Sequence, residues 1–297
     1  SIEALKSLQD LEALNFFAPD LVEIGVKLFG TTEKLDQFLH RTLAPVPLVF
    51  LSEAIRLKES QGDNSIKRLK EDFKTDIYGL RQVSEKDGII VDVGANYGAV
   101  TIAALKRFPT LQVLSVEPSP TTYFMLRINM RLNNVPELQE SEFGKKNGKP
   151  GVLAMHRALS SRSTTVPFVF STVSTQDAFV QSQNKNLAKI MTNRTIHGGN
   201  WTTVDVPTLV LPQFLHHHHI DQVRFLKMDC EGCEFDAVPA MEDLLTHKTK
   251  VQRFAAEIHR YKVAGAMDPV NTLHFDAVLS ERGCGRPNYA KLYQMTC

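Results

Sequence analysis

The stretch from Gly88 to Glu117, GIIVDVGANYGAVTIAALKRFPTLQVLSVE, narrows the possible folds of this chain more than any other. Ile89, Ile90, Val91 and Val93 form an apolar run of the length and β-branched character of a buried strand. The turn Gly94-Ala95-Asn96-Tyr97-Gly98 comes next, and Val100, Ile102, Ala103 and Leu105 then recur at helical spacing as far as Phe108-Pro109. A second apolar run, Leu111–Val116, stops at Glu117. Strand, glycine turn, helix, and a strand ending in an acid make up the first half of a nucleotide-binding α/β unit.

Each part has a chemical reason. Gly94 and Gly98 allow a tight turn and a close approach of backbone to ligand, because no Cβ intervenes. The helix beginning near Gly98 directs its unpaired N–H groups above the sheet. Glu117 stands nineteen residues beyond Gly98, close to the roughly 20 expected of an acid that accepts hydrogen bonds from ribose hydroxyls. The turn departs from G-x-G-x-x-G because Asn96 occupies the middle position. That argues against a pyrophosphate-binding, nicotinamide-dependent oxidoreductase and for a ligand without phosphate, such as S-adenosylmethionine.

A length of 297 residues suits one large α/β domain with an extension. The 34 basic and 33 acidic side chains nearly cancel, so the overall charge implies no nucleic-acid partner and no membrane-surface field. No apolar run reaches the roughly 18 residues of a membrane span. The chain starts at Ser1 rather than Met, and the sequons at Asn193 and Asn200 are within chance, so the compartment stays open. Four cysteines are too few for a disulfide framework, and Cys230-x-x-Cys233 lacks the second pair of a zinc site.

Residues 1–85 read as helical, with Leu5, Leu8, Leu11 and Leu14, then Leu21 and Ile24, then Ile55, Ile66, Leu69 and Phe73 as the apolar repeats, interrupted at Pro45 and Pro47. This extension is expected to cap the sheet. Residues 86–297 form the second unit. In it Thr121–Leu132 reads as a helix, Val152–Leu159 as the third strand, Val166–Phe170 and Trp201–Val206 as further strands, and Thr208–His219 as helix or loop. The polar segment 171–200 has the composition of a substrate loop. His216–His219 are consecutive and cannot all face one ion from regular structure, so they read as a solvated helix end.

The second constellation is VRFLKM, Val223–Met228, a buried strand that runs into Asp229-Cys230-Glu231-Gly232-Cys233-Glu234. The C-terminal end of a strand faces the ligand crevice of an open α/β sheet. Three carboxylates that close repel one another, so at least one pKa rises unless a cation is present, which suits a general base or a metal site. Acids at a helix N-terminus also favour the helix dipole, which is the bland account of Glu234. A helix is expected over Phe235–Leu245. A further strand, Val251–Ile258, carries Glu257, and His259 lies two residues on, where a histidine beside a carboxylate can accept a proton.

VDVGANYG, VEPSP, LKMDCEGCE and AEIH, in this order, resemble the FkbM-type methyltransferases over about residues 88–260. The first of these turns is shared by many methyltransferases; the K-M-D-x-E-G-x-E block is more specific. The resemblance implies a class I methyltransferase (Rossmann-like) seven-stranded sheet flanked by helices, with S-adenosylmethionine as cofactor. It also implies an oxygen of a sugar, lipid or other small molecule as acceptor. It maps Asp92, Gly94, Asn96 and Gly98, with Ala95 among them, onto the cofactor turn, and Glu117 onto the ribose acid. Asp229, Glu231 and Glu234 match the family's second motif, and Glu257 with His259 its E-x-H strand end. Asp229 is therefore expected beside the cofactor, and His259, Asp229 and Glu231 are the catalytic candidates. A Thr-Leu-Asp that often precedes the second block is absent, since Thr208-Leu209 is followed by Val210.

The expected reaction is direct transfer to a hydroxyl, with His259 or Asp229 removing the proton. No metal ligand is assigned, although a divalent ion on Asp229, Glu231 and Glu257 would serve the same end. The alternative from another class is a non-catalytic module of the same fold that binds a partner through its N-terminal helices.

Overall fold

The computed structural model describes residues 2–13, 20–50, 53–59, 61, 65–84, 88–171, 179–180, 201–259, 269–284 and 293–297. Helices α1 (Leu8–Ala13), α2 (Asp20–Phe29) and α3 (Thr32–Leu39) open the chain, followed by the strands β1 (Val46–Phe50) and β2 (Glu53–Leu57) and by α4 (Ser65–Thr75). The α/β unit then runs β3 (Ile89–Val93), α5 (Ala99–Arg107), β4 (Gln112–Val116), α6 (Pro120–Leu132) and β5 (Gly151–Met155). Short β6 (Ala158–Leu159), β7 (Thr165–Ser171), β8 (Phe179–Val180) and β9 (Trp201–Leu209) follow. The remainder is α7 (Leu211–His217), β10 (Val223–Met228), α8 (Glu234–Ala240), α9 (Glu242–Thr246), β11 (Val251–Ile258), α10 (Pro269–Arg282) and β12 (Tyr293–Thr296).

The central sheet has the order β12-β11-β10-β3-β4-β5. Five of these strands are parallel and β12 is antiparallel. Six strands of the expected seven therefore lie among the described residues. The chain moves outward from β3 through β4 to β5 and then returns to the other side of β3 with β10 and β11. The topological switch point, where α/β sheets bind ligands, thus falls between the C-terminal ends of β3 and β10.

Alternation along the strands sends Ile90, Val113 and Phe225 into one apolar cluster with α5, α6 and the N-terminal helices. Val91, Leu114 and Leu226 enter a second cluster with α7, α8 and α10. At about 25 cal/mol per Å² of apolar surface removed from water, two buried faces of this kind supply the main driving force for folding.

Several expectations are corrected. The segment around Ile55 is an antiparallel hairpin, with Leu48 paired to Ile55, where helical periodicity was expected. The 1–85 segment packs on α5 and α6, the helices that cover one face of the sheet. Arg127, buried in α6, pairs through Nη2 with Asp20 of α2 at 2.6 Å and through Nε with Glu137 at 2.6 Å. The expected strand Val152–Leu159 is two strands in different sheets, because β6 leaves β5 to pair with β9. The helix expected over Phe235–Leu245 breaks at Met241, just after Pro239.

The cysteines are not free: Cys230–Cys233 and Cys284–Cys297 are both disulfide-bonded. His216, His217 and His219 are exposed at the end of α7, while His218 tucks against Phe214. Most of the expected 171–200 loop lies outside the described residues. No helix among the described residues is long and apolar enough to cross a membrane.

Candidate functional site

Two turns meet at the switch point. The first joins β3 to α5. Gly94 and Ala95 donate their N–H groups to the Val116 carbonyl, Gly98 donates to the Ala95 carbonyl, and Tyr97 donates to its neighbour's side chain, Asn96 Oδ1. The N–H of Asn96 donates to Glu117 Oε2 at 2.9 Å, and that of Ser119 donates to Glu117 Oε1 at 2.9 Å. Every backbone N–H from Gly94 to Gly98 is therefore engaged within the protein. The turn holds out no nest of free donors for a phosphate, which agrees with the departure at Asn96. Glu117 is buried at the end of β4, and burial pushes its carboxyl up to about 7 against the pull of those two N–H groups.

The two glycines serve mainly contacts within the protein. Gly94 has φ +69°, and a Cβ there would stand 1.8 Å from the Asp229 carbonyl oxygen. Gly98 has φ +84°, and a Cβ there would stand 2.4 Å from a Leu126 methyl of α6. Close packing of the first turn on the second turn and on α6 thus requires glycine at both positions, independently of any approach to a ligand.

Asp92 lies in register with Lys227 on β10, and both are buried. Lys227 Nζ is 3.2 Å from Asp92 Oδ1 and 3.8 Å from Asp229 Oδ2, and it donates to the Gly94 carbonyl at 2.7 Å. Burial alone would lower the Lys227 pKa; Asp92 and Asp229 more than reverse this and raise it. Asp92 also accepts from Thr101 Oγ1 at 2.7 Å. It is an internal anchor of β3, α5 and β10.

The second turn joins β10 to α8. Its acids converge on one imidazole. His259, just past β11 and 1% exposed, has Nδ1 3.2 Å from Glu234 Oε1. Its Nε2 stands 3.3 Å from Glu231 Oε2, 3.3 Å from Glu257 Oε1 and 3.7 Å from Asp229 Oδ1. Glu234, fully buried at the head of α8, accepts from the N–H groups of Cys230 at 3.1 Å and Gly232 at 2.9 Å. It therefore caps the turn and also orients the ring. Burial by itself would lower the His259 pKa, but bonds to Glu234 and Glu257 and the nearby carboxylate charges push it up to about 12. Asp229 is raised, first by burial and then by Glu257 and Glu234, against Lys227 and His259.

The sequence-derived residues therefore sort into two groups. Gly94, Ala95, Asn96 and Gly98 lie on the first turn with Glu117 of the β4 end against it, and Asp229, Glu231 and Glu234 lie on the second with Glu257 and His259 of the β11 end against it. The two groups touch through Gly94 and Asp229. Asp229, Glu231 and His259 also offer ligand atoms within 4.8 Å of one another, a set able to hold a metal ion. Two further residues escaped the sequence reading. Tyr78, from the end of the N-terminal segment, donates its hydroxyl to Asp229 Oδ2 at 3.0 Å, and nothing in its local sequence signals this. Lys227 carried a signal, a lysine between Leu226 and Met228 on a strand buried on both faces.

The chain is similar to known methyltransferases. "Methyltransferase 1" of Beauveria bassiana (strain ARSEF 2860) is 28% identical over 159 residues, 53% of this chain and 59% of that protein. The aligned part thus spans under two thirds of that relative. "Methyltransferase sdnD" of Sordaria araneosa is 24% identical over 191 residues, 59% of this chain and 68% of that protein. Among solved structures, methyltransferase FkbM from Methylobacillus flagellatus KT aligns with a TM-score of 0.40 and 14% identity, over 71% of this chain and 43% of that one. Residues 92–289, which hold both turns, match the methyltransferase FkbM domain, and the chain belongs to that family.

Proposed function

We propose that this chain is an S-adenosylmethionine-dependent methyltransferase that transfers a methyl group to a hydroxyl oxygen of a sugar, lipid or other small molecule. In this reading residues 86–297 form the catalytic domain and 1–85 an extension that supplies Tyr78. The observation that carries the reading is Glu117. It is a buried carboxylate at the end of β4, beside a glycine turn whose N–H groups are all taken within the protein. Each Glu117 oxygen accepts one backbone N–H and keeps a lone pair for a ribose hydroxyl. The donor set thus fits a nucleoside and disfavours a pyrophosphate.

When bound, S-adenosylmethionine supplies an electrophilic methyl group on a sulfonium. The chain's own residues hold, orient and deprotonate the acceptor. Asp229 and Glu231 have side chains 23% and 22% exposed and can reach a hydroxyl, whereas His259 lies beneath them with both ring nitrogens facing carboxylates. We assign proton acceptance to Asp229 or Glu231 and make His259 the residue that positions them, in place of a direct base. Held by the Gly94–Gly98 turn and Glu117, the cofactor would supply the methyl group that the acceptor oxygen receives. The hydroxyl proton passes to the carboxylate. Alignment of donor and acceptor, with effective molarities that reach about 10⁵ M or more, supplies most of the acceleration.

Calorimetric titration with S-adenosylmethionine tests the cofactor. The expected result at pH 8 is micromolar binding, weakened by roughly 10- to 100-fold in Glu117→Ala, about 1.4–3 kcal/mol. Glu117 is mostly ionised only above about pH 7. Affinity therefore falls as the pH drops from 8 to 6, and Glu117→Ala flattens that dependence. The folded carboxyl keeps its proton between its ordinary 4.5 and about 7 while the unfolded one has lost it, so stability declines as pH rises through that window. A folded protein that binds no cofactor would instead favour the non-catalytic module.

A further inference from the structure

We infer that Asp229, Glu231 and His259 form a binding site for one divalent cation of the magnesium or manganese class, which engages the acceptor hydroxyl. The inference rests on the proposed transferase reading for its role, but not for its geometry.

The feature is more than a cluster of acids, because a histidine ring sits at its centre with its two edges assigned different tasks. Nδ1 faces Glu234 at 3.2 Å. Glu234 is itself fixed by two backbone N–H groups and excluded from solvent. A buried carboxylate on one ring nitrogen is the usual outer partner of a metal-binding histidine, since it fixes the tautomer and aims the other nitrogen. Nε2 then faces Asp229 Oδ1, Glu231 Oε2 and Glu257 Oε1, at 3.7, 3.3 and 3.3 Å.

The distances favour shared ligation. A well-formed N–H···O bond has a heavy-atom separation of about 2.9 Å. Two ligands of one ion with bonds of about 2.2 Å stand roughly 3.1 Å apart in octahedral and 3.6 Å apart in tetrahedral geometry. The observed edges of 3.3 and 3.7 Å lie close to this range, and all three ligand atoms lie within 4.8 Å of one another. Glu231 adopts φ +60°, uncommon for a residue with a Cβ, and this conformation lies between the two disulfide-bonded cysteines.

The ligand chemistry selects the metal. Cys230 and Cys233 are tied to each other, so no thiolate is available for a soft ion. Two carboxylates with one imidazole suit a hard or borderline cation such as manganese(II). Three protein ligands leave positions for oxygens of the acceptor, and the partial exposure of Asp229 and Glu231 opens them to solvent. The acceptor class that fits is a hydroxyl with a neighbouring oxygen, which binds through both. A hydroxyl on such a cation would have a lowered pKa and would give up its proton more readily. With Asp229 and Glu231 on the cation, Glu257, 3.3 Å from His259 Nε2, takes over from them as the carboxylate that accepts the proton.

The test is manganese(II) binding to the full, disulfide-intact chain, without cofactor, read by loss of the free-ion paramagnetic resonance signal. One site with a dissociation constant below about 100 μM is expected. Glu231→Gln should weaken it at least 10-fold. Spin-echo modulation on the wild-type chain should show one directly bound nitrogen, a readout independent of whether any variant folds. Absence of binding overturns the inference, as does binding without nitrogen modulation or binding unchanged in a folded Glu231→Gln. Calorimetry with S-adenosylmethionine on the same preparation separates the two readings. Cofactor binding without manganese binding sinks only the cation site; the reverse sinks only the cofactor reading.

Discussion

The turn after β3 and the turn after β10 lie side by side, yet they keep their shape by different means. The first relies on backbone: two glycines at positive φ, and N–H groups that close on Val116, Ala95 and Glu117. The second relies on side chains: a disulfide, a capping carboxylate and a histidine among four acids. A backbone turn offers shape and a single recognition acid, which suits a nucleoside. A turn of convergent charges offers proton transfer and cation binding, which suits an acceptor. Lys227 joins the two, reaching the Gly94 carbonyl on one side and Asp92 and Asp229 on the other.

The sharpest way to break this contrast is Gly94→Ala. Its Cβ would stand 1.8 Å from the Asp229 carbonyl, backbone that cannot yield as a side chain can. With φ at +69° besides, urea unfolding should show a loss of more than about 4 kcal/mol, and both turns should fail together. A loss under about 1 kcal/mol would mean that the turns are not locked through their backbones.

Next in size is Lys227→Met. It leaves Asp92 buried beside the gap, and removing one partner of a buried ion pair costs about 3–5 kcal/mol. A double-mutant cycle with Asp92→Asn should recover part of the loss, because the second change removes the stranded charge. Additive losses would show that the lysine braces the turns without an electrostatic role.

The smallest effect is expected for Cys230→Ser with Cys233→Ser. A cross-link three residues apart closes a very small loop, so the stability change should be roughly 2 kcal/mol or less by thermal unfolding. Affinity for S-adenosylmethionine should persist, since Glu117 and its turn make no use of the cysteines, whereas methyl transfer should fall. Equal loss of both would merge the two turns into one functional unit.

Much of this was legible beforehand. The β3–α5–β4 unit, α6, β10 and β11 follow from apolar runs and glycine punctuation, and β11 spans Val251–Ile258 as expected. Local pattern is informative there because a strand buried on both faces must be apolar throughout. The pattern misled around Ile55, where apolar spacing fits helix and hairpin alike and cross-strand pairing to Leu48 decides. Counting cysteines misled too, since pairing depends on proximity in space and not on number.

By itself, then, the sequence determined the α/β class, the strand ends that carry acids, and the family to which the chain belongs. These are encoded in short stretches whose periodicity and motif order survive without neighbours. Only the tertiary structure decided that Gly94 serves Asp229, that Lys227 pairs with Asp92, and that Tyr78 reaches the second turn. It also decided that His259 lies beneath the carboxylates, with Glu234 on one ring nitrogen and three acids on the other. Apart from His259 with Glu257, these contacts join residues from about 25 to 150 positions apart, and only strand register and the packing of helices on the sheet bring them within bonding distance.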